Sequence, residues 1–80
     1  MTPEDIVRLR SYTDKVVRMK TTDGESLVVK VILMQDEDED CIHDIIWSDQ
    51  EHRYRMPLGS AAYVTPYSQI VSFDLAEEGS

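Results

Sequence analysis

Eighty residues, 41% hydrophobic and 30% charged, fit one ordered globular domain with a thin core, because so short a chain buries only about 60% of its unfolded surface. The net charge of −8 disfavours nucleic acid as a partner, and no apolar run approaches the roughly 18 residues that cross a bilayer. Cys41 has no second cysteine to pair with, and Met-Thr-Pro-Glu-Asp lacks the basic-then-apolar pattern of a signal peptide, so a cytoplasmic location is expected.

Thr2-Pro3-Glu4-Asp5 reads as a helix start. Thr2 can cap, Pro3 occupies the first helical position, and two acids face the dipole. Ile6, Leu9 and Tyr12 then give an apolar stripe, which predicts a helix over about residues 3–12. The remainder reads as strand and turn. Lys15–Thr21 is a strand, and Thr22-Asp23-Gly24-Glu25 is a hairpin signal. Ser26–Met34 is the strongest strand. Its odd positions, Leu27, Val29, Val31 and Leu33, are all apolar, and its other face carries Val28, Ile32 and Met34, interrupted only by Lys30. Gln35–Asp40 is an acidic loop, and Cys41–Ser48 returns as a strand. His52–Met56 is read as a further strand, and Pro57–Ala62 as irregular or as a strand opening with a bulge at Gly59. Tyr63–Tyr67 leads into a last strand at Ile70–Leu75, and residues 76–80 form a loose tail. Strands without alternating helices argue for a mainly β fold, a short N-terminal helix followed by a strongly bent, five-stranded antiparallel small barrel.

Charge is unevenly placed. Residues 1–34 carry six basic and five acidic side chains, whereas residues 35–80 carry two basic and eleven acidic. Asp36, Asp38 and Asp40 alternate like the first ligands of a calcium loop. Cys41 then stands where that loop needs Gly and Trp47 where it needs a bidentate Glu, so the calcium reading fails. Cys41, His43 and His52 are too few for a soft metal site, and no metal or other cofactor is expected. Cys41 is read as a small buried residue, His43 as a surface or interface residue, and Trp47 and Phe73 as core. Glycine-rich phosphate loops, nucleophile elbows and zinc-protease helices are all missing, so the chain is not expected to be an enzyme.

The order of helix, strand, Asp23-Gly24 hairpin, long strand and return strand resembles the Sm-like fold, one of the SH3-like small barrels. His43-Asp44-Ile45-Ile46-Trp47 is similar to the stretch that carries the family's RNA-contacting Asn, here Asp44. Leu58-Gly59-Ser60-Ala61-Ala62-Tyr63-Val64 is similar to its second motif, with Leu58 where a cation is expected. The resemblance implies a ring-forming or dimeric barrel whose nucleic-acid site is not preserved.

Apolar residues on both faces of the two long strands exceed what an 80-residue monomer can cover, which predicts a homo-oligomer joined through strand edges or faces. The expected function is a non-catalytic interaction module. Asp36, Glu37, Asp38, Glu39 and Asp40 are its candidate site for a basic protein partner. The alternative is an Sm-like RNA-binding protein using Arg8, Arg10, Arg18 and Lys20 against phosphates.

Overall fold

The computed structural model describes residues 1–54 and 62–76. Helix α1 (Pro3–Arg10) begins in a capping box: Asp5 N–H donates to Thr2 Oγ1 at 3.1 Å, and Thr2 N–H donates to the Asp5 carboxylate at 3.3 Å. The helix stops at Arg10, short of residue 12. The Ser11 and Thr13 hydroxyls donate to the Arg8 and Arg10 carbonyls, and Asp14 adopts a left-handed φ of 68° that redirects the chain. Leu9 is fully buried, and Ile6 and Tyr12 pack against the core beside it. Docking this stripe is what holds so short a helix, because two turns are marginal alone.

Strands β1 (Val16–Thr21), β2 (Ser26–Gln35), β3 (Asp40–Ser48), β4 (Ala62–Pro66) and β5 (Ile70–Leu75) form one antiparallel sheet in the order β4-β3-β2-β1-β5. The mainly β architecture with an N-terminal helix is therefore present. The ladder is open: β4 and β5 are its two edges, joined in sequence by a 3₁₀ turn over Tyr67–Gln69. Asp23-Gly24 does turn β1 into β2, with Gly24 at a φ of 88°. Its N–H donates to the Thr21 carbonyl at 3.0 Å.

Three register shifts decide which side chains enter the core. Val29 pairs with Ile45 but Val28 with Trp47, so Ile46 is an extra residue in β3. Val31 pairs with His43 but Leu33 with Ile42, so Ile32 is extra in β2. Thr21 pairs with Ile70 but Lys20 with Ser72, so Val71 is extra in β5. Each bulge inverts the alternation beyond it. Leu27, Val29 and Val31 point inward, yet past Ile32 it is Met34 that is buried and Leu33 that is exposed. The uniform odd face expected of β2 is thus broken in its last third. The inner face joins Val17, Met19, Leu27, Val29, Val31, Cys41, Ile45, Ile70 and Phe73 in one core.

Two further expectations change. His52 and Arg53 are not in a strand but in a 3₁₀ turn over Glu51–Arg53. The Ser48 hydroxyl accepts the Gln50 N–H and the Asp49 carboxylate accepts the Ser26 N–H, each at 3.0 Å, which ties the chain down before it can extend. Tyr63 to Pro66 do not merely lead to the last strand but pair with β3 as β4. Arg55 and Met56, the stretch from Pro57 to Ala61 and the tail beyond Ala76 lie outside the described residues.

Candidate functional site

The acidic loop closes the β2–β3 hairpin between paired Gln35 and Asp40. Its five acids are not equivalent. Asp36 receives the Arg10 guanidinium and, at 3.2 Å, the Tyr67 hydroxyl, which fastens the loop to the helix and to the β4–β5 turn. Burial raises the Tyr67 pKa, and the Asp36 charge raises it further. Asp40 is half-buried at the start of β3. Glu37, Asp38 and Glu39 remain as the exposed tip. A basic partner would meet three of the five expected acids.

The four expected phosphate contacts do not form one surface. Arg10 is engaged by Asp36. Arg8 lies 3.7 Å from Asp5 and sits over the Phe73 ring, 4.5 Å from its centroid. Arg18 and Lys20 project from the outer face of β1. There they line a shallow cleft of about 220 Å³ together with Val28, Trp47 and Asp74.

Trp47 is not core. It is 48% exposed, because the Ile46 bulge turns it outward and brings Ser48 in. The outer face is therefore apolar along two cross-strand rows. Leu33, Ile42 and Val64 form one across β2, β3 and β4; the other starts with Trp47 and Val28 and ends in charged Arg18 and Asp74, and the paired Lys30 and Asp44 lie between the two. The bulge residues Ile32 and Ile46 lie between them, both exposed.

Behind β3, on the opposite side, lies a polar cluster that sequence reasoning missed. Glu25 is almost fully buried. Its carboxylate accepts from the Ser48 hydroxyl, from Tyr54 Oη at 2.6 Å and from Arg53 Nη1 at 2.9 Å. Arg53 Nη1 also donates to Asp23 Oδ2 at 2.7 Å. These donors offset the cost of burying a carboxylate. Asp23 is held down to about 2, first by the Thr21 hydroxyl and then by Arg53, whose own pKa is raised in return. Burial and the hydrogen bond to Glu25 raise Tyr54. The one available signal was the hairpin itself, which places Asp23 and Glu25 two residues apart at a turn.

His43 is 1% exposed, which corrects its expected surface position. Its Nε2 lies 2.8 Å from Thr65 Oγ1 of β4, whereas Nδ1 is buried with no hydrogen-bond partner among the described residues. Burial lowers its pKa, outweighing the opposite effects of the Asp44 backbone and of the Asp44 and Glu25 charges, so the ring is neutral near pH 7. Cys41 is buried as expected, and burial pushes its thiol up to about 12, which removes any thiolate nucleophile. His52 is exposed, away from both. No group of three metal-ligating side chains occurs among the described residues. No helix among them is long and apolar enough to cross a membrane.

No protein-family model, curated protein or solved structure matches the chain.

Proposed function

We propose that the protein is a non-catalytic interaction module, an Sm-like small barrel in outline, that self-associates through the outer face of its sheet at the β4 edge. The observation that carries this reading is the row of Leu33, Ile42 and Val64, which runs to an edge strand with no charged side chain. Edge strands of soluble proteins are ordinarily guarded by charges or bulges. Here Val64 is 56% exposed, and β4 has only Pro66 at its end. A second copy added at β4 would extend the ladder and cover the apolar row together. Pairing of β4 with β4 gives a dimer, and pairing of β4 with β5 gives a ring. The three-residue turn between β4 and β5 supports the barrel outline by keeping those edges adjacent at one end. Double substitution Leu33→Lys with Ile46→Lys leaves the inner face untouched and should release monomers in size-exclusion chromatography. An unchanged elution position with an intact fold would sink the proposed interface.

RNA binding is the second reading, favoured by one observation: Arg18 and Lys20 line the same outer cleft as the half-exposed Trp47 ring. Such a site would stack a base and contact few phosphates. Affinity for single-stranded RNA should then fall with salt on a shallow slope of about two charges. No binding at low salt ends this reading.

A further inference from the structure

The buried Glu25 cluster borders a cavity of about 160 Å³ whose lining also takes in Tyr63, Val64 and Thr65 of β4. Leu27 and Ile45 contribute apolar surface to it, and Asp23, Glu25, Arg53 and His43 the polar groups. Tyr54 and Tyr63 stand edge to face beside it, their centroids 5.2 Å apart. We propose that this cavity receives an arginine side chain presented by a protein partner, and that Arg53 is an intramolecular stand-in for it.

The geometry around Glu25 gives the first sign. Glu25 is a buried carboxylate, yet one of its donors reaches in from the surface: the Arg53 side chain is 42% exposed and comes from a short 3₁₀ turn, whereas Ser48 belongs to the sheet. One Arg53 nitrogen, Nη1, serves both Asp23 and Glu25. That nitrogen spends its two hydrogens there, whereas an arginine arriving squarely can bring Nη2 and Nε of its five-donor planar fork to the carboxylates as well. The tyrosine pair offers aromatic surface to the plane of that group. His43 supplies the second, independent sign. It lines the same cavity, it is almost wholly buried, and Nδ1 has no partner among the described residues. Buried polar atoms are normally satisfied, and an orphan beside a cavity marks a place where an incoming polar group completes the bonding. The partner's chemistry follows from charge. With Arg53 displaced, Asp23 and Glu25 face the entrant unopposed, on a chain of net charge −8 that attracts basic proteins.

The test titrates acetyl-Gly-Arg-Gly-amide into wild type and Arg53→Ala, following the His43 ring and the Glu25 amide by NMR. Arg53→Ala should bind saturably and about tenfold more tightly than wild type, since the resident guanidinium no longer competes. The lysine analogue should bind more weakly, and Glu25→Gln in the Arg53→Ala background should abolish binding. If Arg53→Ala does not fold, Arg53→Gln carries the same expectation. Equal affinity of wild type and variant, equal binding of the lysine peptide, or indifference to Glu25→Gln would each overturn the proposal. Saturable binding of acetyl-Gly-Gly-Gly-amide would also overturn it, because the guanidinium would then not be what the cavity recognises. The Leu33→Lys, Ile46→Lys variant should bind the peptide as wild type does, so loss of self-association and loss of arginine recognition are separable.

Discussion

His43 and Glu25 show how a few buried polar side chains organise one end of the sheet. Glu25 is fully supplied with donors, whereas His43 holds β4 through Thr65 and leaves Nδ1 unspent. Because its folded pKa lies below the unfolded value near 6.5, the unfolded chain takes up a proton first as pH falls. His43 therefore contributes stability that is present near pH 7 and lost progressively on acidification below about 6.5. Thermal midpoints should drop between pH 7 and 5, and His43→Gln should flatten that drop. An unaltered pH profile in the variant would contradict the assignment. Asp23, held near 2, adds a second loss only as pH falls from about 4 toward 2. Only the hairpin that sets Asp23 and Glu25 two residues apart was legible beforehand. A lone histidine in a strand gives no sign of its face until the bulges are placed, and Glu25 looks like an ordinary turn acid.

Among the elements, the helix start and the Asp23-Gly24 hairpin were readable because each rests on local chemistry. Thr2, Pro3 and Asp5 cap whatever follows, and Gly24 takes a conformation that other residues resist. The bulges were not readable, for a physical reason. Ile32, Ile46 and Val71 are apolar residues beside apolar residues, so the pattern does not reveal which one is extra. Counting by twos sets Trp47 on the face of Ile45, and a single inserted residue reverses that. The surplus of apolar positions on two strand faces was a correct observation, and the bulges explain where it goes: Ile46, Trp47 and Leu33 are all turned outward. The acidic hairpin carries one local cost. Glu39 has a left-handed φ of 53°. Glu39→Gly should stabilise the fold by about 0.5–1 kcal/mol, the difference between relieving that conformation and the added freedom of glycine in the unfolded chain. Denaturant unfolding would measure it, and a destabilised variant would contradict the account.

Across the whole molecule, the sheet separates two kinds of surface. The inner side holds the core with α1 docked over it, and the polar pocket lies at the end near the β1–β2 hairpin. The outer side holds the apolar rows, edged by Arg18 and Lys20. Acidic side chains are concentrated elsewhere, at the exposed Glu37–Glu39 tip of the β2–β3 hairpin, whereas β4 carries no charged side chain. Strand order and an open edge could not be read from the sequence, because pairing is set by contacts far apart in the chain. The apolar surplus could be read, and it is the surface that the proposed self-association would cover. That conclusion is tested most directly by sedimentation velocity of the wild-type chain across a micromolar concentration series at moderate salt. The account predicts a mass of two or more chains that falls toward one on dilution, and a single-chain mass throughout would contradict it.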